Sequence, residues 1–485
     1  MTALSQFTKI SDAIWELPIG YKEGMRVPAR IYATEKLLLE MDAGVIDQVT
    51  NVATLPGILK YAYCMPDGHW GYGFPIGGVA AMDAISGVIS PGGIGFDVNC
   101  GMRLIRTNLT VEEVQPRLRT LVDRLFQRVP AGVGSSGFVK LSQAEFRHAV
   151  ELGAEWCIRN GYGWREDLER TEENGCIAGA DADKISNKSV ERGFKQIGTL
   201  GSGNHYLEIQ VARPENIYDA ELARTFGVDQ PNQIMIMFHC GSRGFGHQVA
   251  TEYLQLFLKV MEKKYGIKIR DRELACAPLD SPEGRDYFAA MNCAINMSYI
   301  NRQVILHRVR EVFSEVFGRD PMELGMHQVF DVSHNTAKLE MHQVDGKLRQ
   351  VLVHRKGATR AFGPGHPELP AIYRDAGQPV IVGGSMESGS YLLAGVETGA
   401  QTFFSTAHGS GRSMSRQQAK KKFQGKKLQQ DMEQRGIYVR AVSYAGLAEE
   451  AGAAYKNIDE VVAATEMAGI SRPVARFIPI GNVKG

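Results

Sequence analysis

The stretch 90–103, reading Ser-Pro-Gly-Gly-Ile-Gly-Phe-Asp-Val-Asn-Cys-Gly-Met-Arg, constrains this chain more than any other. It sets Asp97 and Cys100 three residues apart in a glycine-rich turn, where both side chains can face one point and the backbone can come close to a ligand. A carboxylate and a thiolate held this way suit a metal ion. Three later histidines, each beside glycine or polar turn residues, offer the missing donors: His205 in Gly-Ser-Gly-Asn-His, His239 in Phe-His-Cys-Gly-Ser-Arg-Gly, and His334 in Asp-Val-Ser-His-Asn. The chain reads as a metalloenzyme.

Bulk properties bound the partners. Net charge is +1, with 55 basic and 54 acidic side chains, so any nucleic-acid surface is a local patch. The 53 glycines among 485 residues exceed the usual roughly 7% and cluster around the candidate donors. Seven cysteines, at 64, 100, 157, 176, 240, 276 and 293, form no CxxC pair and no regular framework, which fits a reduced cytoplasmic compartment. The N-terminus shows no leader pattern and no run of about 18 apolar residues occurs, so a soluble protein with no membrane segment is expected.

Residues 1–45 look like a lead-in to the fold, with a helix expected over 35–41. Short β-prone pieces follow at 61–65, 77–82, 87–90 and 102–107, joined by tight turns. Thr110 and Glu113 form a capping box before a helix over 114–129, with Leu118, Leu121, Val122 and Leu125 on one face. An amphipathic stretch near 145–160 precedes a charged segment, 165–174, read as a solvated helix. Strand character returns at 196–211 and 233–239, each with one candidate histidine at or near its end. Long helices over 246–265 and 284–317 are scaffold; strands are expected at 328–332, 350–354 and 379–382, a basic helix from Ser413, and a last helix at 461–467. With no internal repeat and no low-complexity linker, the expected architecture is a single large mixed α+β domain over residues 1–485.

A thiolate has several lone pairs, so Cys100 can bridge two cations roughly 3.5 to 4 Å apart, the spacing of two-metal phosphoryl-transfer sites. Thiolate and imidazole favour zinc, iron or cobalt; carboxylate pulls toward manganese or magnesium; these residues leave the ion open. A second constellation lies at Ser405-Thr-Ala-His-Gly-Ser-Gly-Arg. Gly409, Ser410 and Gly411 let main-chain N–H groups face an anion, and Arg412 can fork onto phosphate oxygens. His408 within this cradle is open to three roles: metal ligand, general base, or nucleophile carrying a phosphoryl group. Arg412, Arg416, Lys420, Lys421, Lys422, Lys426 and Lys427 follow with no acidic residue from 412 to 427, a track for a polyanion directly after the cradle.

Asp97-Val-Asn-Cys100-Gly, Gly-Ser-Gly-Asn204-His205, His239-Cys-Gly-Ser-Arg243-Gly, Ser333-His334-Asn335, Val353-His-Arg-Lys-Gly-Ala-Thr-Arg-Ala-Phe, Gly384-Ser385-Met and His408-Gly-Ser-Gly-Arg412 stand in this order along the chain. Together they resemble the RtcB family of GTP-dependent tRNA-splicing RNA ligases, in its longer, archaeal-like form, from about Trp15 to the C-terminus. The resemblance implies an RtcB-like α+β fold with a central two-metal cleft. It implies two manganese ions, one on Cys100, His239 and His334 and the other on Asp97, Cys100 and His205. It implies that His408 attacks the α-phosphorus of GTP and holds GMP, that GMP passes to an RNA 3′-phosphate or an opened 2′,3′-cyclic phosphate, and that a 5′-hydroxyl then displaces it. Asn204 matches a nucleotide-phosphate contact; Glu208, Ser385, Tyr455 and Lys484 match positions around the guanine nucleotide; Arg243 and Arg412 match phosphate-binding positions; Asp67 matches a residue that orients the nucleophile. The implied partners are RNA, such as tRNA halves, GTP, and an archease-type activator, as for many relatives.

The chain departs from the family pattern at Ala407 and Ser410, both small, at Gly383 in place of a common proline, and at Glu387 where glycine is frequent. Two placements of this carboxylate stay open: near phosphates, where it would weaken GTP binding, or pointing to solvent. Glu387 keeps open a diverged paralogue that guanylylates or hydrolyses nucleic-acid ends without sealing them. A non-catalytic RNA-binding subunit is the other class; an intact His408 argues against it.

Overall fold

The computed structural model describes residues 4–485. Two sheets carry the site. The first has seven strands in the order Thr8–Ser11, Ile14–Leu17, Ala29–Tyr32, Ile58–His69, Ile76–Asp83, Lys347–Lys356 and Asn335–Val344. The second has eight: Gln328–Ser333, Gly101–Thr110, Gln233–Cys240, Tyr206–Ile217, Arg472–Lys484, Ser390–Ala394 and Pro379–Val382 in order, with Tyr438–Ala441 running parallel beside Arg472–Lys484. Burial follows sequence pattern. Gln-Ile-Met-Ile-Met-Phe-His-Cys, at the middle of the second sheet, is buried at every position, while Asn335–Val344, at an edge of the first, alternates along most of its length between buried and exposed side chains.

The sheets meet at His334. Ser333 ends a strand of the second sheet and Asn335 begins one of the first, so this histidine stands at the crossing. A 36-residue helix, Pro282–Phe317, packs behind the crossing. Ser281 caps it by accepting from the Gly284 N–H, and Gly318 ends it in the left-handed conformation. Its buried Arg302 forks onto Asp331 at 2.8 Å through two nitrogens, and Arg103 adds a third bond to the same carboxylate at 2.7 Å. Burial pushes the Asp331 carboxyl up, but the two guanidiniums more than offset it and hold the group below its usual range. Arg302 also donates to the Asn99 and Cys240 carbonyls, fixing the chain beside Cys100 and His239.

Several expectations need correction. Residues 8–32 supply three strands of the first sheet rather than a lead-in. The 114–129 helix is broken: Val111–Val114 carries the capping box, a 3-10 turn holds Pro116, and the long helix starts at Leu118, because proline lacks the N–H an unbroken helix needs. The strand expected from 196 begins only at Tyr206; the glycines at 198, 201 and 203 all take left-handed φ values and keep the preceding segment irregular. Residues 165–174 start as the short helix Arg165–Glu169 but do not continue as one solvated helix. Asp167 is buried against Arg310 at 2.7 Å and Glu172 against Lys338 at 2.7 Å, so their charges are paired inside. The basic segment forms two helices, Arg416–Lys422 and Gly425–Gln434. All seven cysteines are free, and among the described residues no helix is long and apolar enough to cross a membrane.

Candidate active site

Sheet register gathers the donors. Gly101 pairs with Cys240 and Ser333, Met102 with His239, and Tyr206 with His239. Cys100, His205, His239 and His334 therefore all lie at one end of the second sheet. Asp97 reaches the same point from the preceding turn. Gly241 must be glycine here, since a Cβ would stand 2.3 Å from Asp97 Oδ1. The donor atoms form two sets, Cys100 with His239 and His334, and Asp97 with Cys100 and His205, each within 4.8 Å and sharing the cysteine.

The geometry fits cations. His239 Nε2 lies 3.0 Å from both Cys100 Sγ and His334 Nε2; His205 Nε2 lies 2.9 Å from Asp97 Oδ2 and 3.4 Å from Cys100 Sγ. Burial, then the neighbouring imidazoles, holds His239 and His334 well below the ordinary histidine range, so both rings are neutral and each keeps a nitrogen lone pair to offer. Burial also lowers His205 and drives the Cys100 thiol well up. Asp97 resists its own burial through His205 and Arg243 and is held down at about 2. Asp97 Oδ1 and His334 Nδ1 are buried without a hydrogen-bond partner. Neutral imidazoles, a carboxylate and a shared sulfur converging in this way make a donor set that cations satisfy.

Backbone contacts hold the donors. The His334 N–H donates to the Cys100 carbonyl at 2.9 Å, and the Asn204 carbonyl lies 3.2 Å from His239 Nδ1. Asn335 donates to the Asp97 carbonyl at 3.0 Å and accepts from the Gly357 N–H at 2.9 Å.

His408 stands over this cluster, its ring 4.7 Å from that of His334. It follows the short strand Ser405–Ala407, which pairs with Ala358–Arg360. Asp67 Oδ2 lies 2.5 Å from His408 Nδ1 and also accepts the N–H groups of His408 and Gly409, at 3.2 and 3.3 Å. Nδ1 is thus committed to the carboxylate, and Nε2 has no hydrogen-bond partner among the described residues. Gly411 lets the two segments touch: its φ is +72° and a Cβ would sit 2.1 Å from the Asp67 carbonyl. The buried Lys456 ammonium clamps the chain on both sides of Asp67, donating to the Gly68 and Pro66 carbonyls at 2.5 and 3.3 Å. Burial lowers its pKa.

A cleft of about 240 Å³ joins these groups; Asp97, Cys100, Asn204, His239, His334, Ser385, His408, Gly409, Ser410, Gly411, Arg412, Arg416, Tyr455 and Lys484 all line it. Gly383 bridges to Gly409, bringing two glycine-rich loops side by side. Glu208 pairs in register with Asn482 behind this wall and does not line the cleft. Its carboxyl is fully buried and pushed up to about 7 by that burial, against Gln210 and Lys484. Arg243 lies on the other side, 3.2 Å from His205 Nδ1, in a second hollow that also holds Asp97, His205, Arg192 and Lys195. Arg412 is engaged within the protein: it donates to the Met414 and Glu449 carbonyls, to Glu450 and to the Tyr455 hydroxyl. Lys420 pairs with Glu449, while Lys421 is exposed.

Glu450 was missed by sequence reading. It lines the cleft, 2% exposed, among Arg412, Arg416, Lys484 and Tyr455. Burial works against its carboxylate, but Lys484, the Tyr455 hydroxyl and Arg412 hold it below the usual range. Lys456 was missed too. Glu387 does not line the cleft: its carboxylate joins Arg435 at 2.5 Å and accepts the Gly452 N–H at 2.7 Å.

The fold and cleft define a mixed α+β protein in which two cysteine-sharing donor sets for metal stand beside a carboxylate-held histidine, equipment suited to metal-dependent phosphoryl transfer. The family model described as tRNA-splicing ligase RtcB matches residues 48–485. The chain is 52% identical over 478 residues to the tRNA-splicing ligase RtcB of Archaeoglobus fulgidus, covering 98% of both chains. It is 51% identical over 487 residues to that of Thermococcus kodakarensis, covering 100% of both, and 50% identical over 480 residues to that of Aeropyrum pernix, covering 98% of this chain and 99% of the relative. The chain belongs to the tRNA-splicing ligase RtcB family.

Proposed function

We propose that this protein is a cytoplasmic RNA ligase of tRNA splicing and RNA repair, one ligase domain over residues 1–485. It joins an RNA 3′-phosphate or 2′,3′-cyclic phosphate to a 5′-hydroxyl, with GTP as co-substrate. The observation that carries this reading is the convergence, in one cleft of an RtcB-family chain, of both donor sets with a histidine held by Asp67.

Asp67 keeps His408 Nδ1 occupied and aims Nε2 into the cleft. Nε2 attacks the α-phosphorus of GTP, the bond to pyrophosphate breaks, and GMP remains on His408. A 2′,3′-cyclic end is first opened by water, which breaks the P–O2′ bond and leaves a 3′-phosphate and a 2′-hydroxyl; the RNA 3′-phosphate then takes GMP from the histidine, and the 5′-hydroxyl attacks that activated phosphate and releases GMP. Cys100, His239 and His334 would hold one manganese ion, and Asp97, Cys100 and His205 the other. When bound, the ions supply positive charge that stabilises the phosphates in transfer. Asn204 and the Gly409, Ser410 and Gly411 backbone face the nucleotide phosphates, and Ser385, Tyr455 and Lys484 surround the base, with Glu208 acting from behind the wall through the charge of Lys484. Arg243 positions an RNA phosphate on the His205 side, and Arg416, Lys420 and Lys421 track the RNA backbone. Arg412 acts by holding Tyr455 and Glu450, and contributes its charge to phosphate from there.

Glu387 turns to Arg435 and Gly452, which removes the reason to expect impaired GTP binding. The test is sealing of a labelled RNA bearing a 2′,3′-cyclic phosphate to a 5′-hydroxyl strand, with manganese, GTP and an archease-type activator. A sealed, GTP-dependent product is expected; capped ends that accumulate unsealed would overturn ligation in favour of end-capping.

A further inference from the structure

We propose that Glu387 is a positioning residue of the nucleotide pocket, tying the turn that carries Ser385 to the turn that presents Tyr455. This rests on the reading above, in which the guanine nucleotide lies between those two side chains.

Three segments meet on this one carboxylate. Oε1 accepts the Gly452 N–H at 2.7 Å, and Oε2 meets Arg435 Nη2 at 2.5 Å. The two turns are already in contact: a Cβ on Gly452 would stand 2.8 Å from Glu387 Oε1 and 3.0 Å from Ser385 Oγ. Gly452 opens a single 3-10 turn, Gly452–Ala454, which ends at Tyr455. Displacing Gly452 therefore moves Tyr455 directly. From the other side, the Glu387 and Ser388 N–H groups donate to Ser385 Oγ at 3.3 and 3.2 Å, so the carboxylate and the Ser385 hydroxyl belong to one rigid turn. Met386, between them, packs with Met432, Ile437 and Leu447 and seats this turn on the helices Gly425–Gln434 and Tyr444–Glu449.

The two bonds are unequal. Arg435 is 49% exposed, so its ion pair is screened and contributes little. The Gly452 bond is charge-assisted, with Glu387 at 19% exposure, and is the contact that fixes the pocket wall. Where glycine stands at this position, no side chain can make that bond.

The experiment uses the full-length protein with manganese and compares wild type with Glu387→Ala, Glu387→Gln and Arg435→Ala. GMP affinity is measured by calorimetry; KM for GTP and the limiting rate are measured for adduct formation, with thermal unfolding beside them. Loss of the Gly452 bond in Glu387→Ala is expected to raise the GMP Kd and the GTP KM about 5- to 10-fold. The limiting rate should stay within about twofold. Glu387→Gln keeps an acceptor and should recover affinity to within about twofold of wild type, as should Arg435→Ala, which keeps the Gly452 bond. If Glu387→Ala does not fold, Glu387→Met, which keeps the bulk of the side chain without an acceptor, takes its place: GMP binding weakened there but not in Glu387→Gln or Arg435→Ala identifies the Gly452 contact. Wild-type GMP binding with unchanged affinity in every Glu387 variant would overturn the proposal alone. A wild-type protein that binds no GMP would overturn the functional reading and the proposal with it.

Discussion

Asp67 illustrates how much rests on one oxygen. Oδ2 takes the His408 imidazole and two backbone N–H groups, so it fixes both the ring and the loop that carries it. Asp67→Asn removes the charge that holds Nδ1–H and is expected to slow adduct formation by about 10²-fold or more. A rate within twofold of wild type would rule out the orienting role. Lys456→Met releases the carbonyls on either side of Asp67 and is expected to slow the same step roughly 10- to 100-fold without changing GMP affinity; weaker GMP binding instead would place its role at the nucleotide. Every proposed metal ligand was legible in the sequence because each sits in or beside a turn rich in glycine or polar residues; His239 itself lies near the end of a buried strand, next to the turn that begins at Gly241. Glu450 and Lys456 were not. In Leu-Ala-Glu-Glu-Ala-Gly and Ala-Ala-Tyr-Lys-Asn they look like solvated helix ends, and only tertiary contacts with Arg412, Lys484 and the Asp67 loop bury them.

At the scale of elements, strand register does what local sequence cannot express. Nothing near residue 334 says that it lies beside residue 100, yet the Ser333 pairing with Gly101 puts it there. The charged 165–174 segment misled for the same reason, since its partners Arg310 and Lys338 lie far along the chain. His354, in Lys347–Lys356, offers a test of this packing. It is fully buried, accepts the Ser90 N–H through Nε2 at 3.2 Å, and burial depresses its pKa from 6.5 to about 4. The folded state prefers the neutral ring, so the contribution is complete above pH 6.5 and is lost as pH falls toward 4, on the order of 3 kcal/mol. Unfolding titrations should show this slope flattened in His354→Gln over that window, because glutamine does not titrate; an identical slope would contradict burial as the cause. For the basic helix, Lys420→Glu with Lys421→Glu should weaken RNA binding and lower the salt slope by about 2 while sparing adduct formation. Unchanged binding across salt concentrations would remove the helix from the RNA path.

Across the whole molecule, the two sheets and the Pro282–Phe317 helix meet where the donors meet, so metal binding and folding share contacts. Manganese at 100 times its dissociation constant should stabilise the protein by about 2.7 kcal/mol per site. Cys100→Ala takes a donor from both sets; it should lose this stabilisation and abolish adduct formation and sealing together. Retained activity would contradict the shared sulfur. The α+β class followed from the mixture of periodicities, whereas the way the first 32 residues complete a sheet did not, because short strands at an edge carry little pattern of their own. The most direct measurement is incubation of the purified protein with manganese and α-labelled GTP beside a His408→Ala control, followed by denaturation. A label that stays bound, is acid-labile and alkali-stable, and is absent from the control is the predicted result. No label on the wild type, with metal bound and an activator supplied, or equal label on the control, would contradict His408 as the nucleophile.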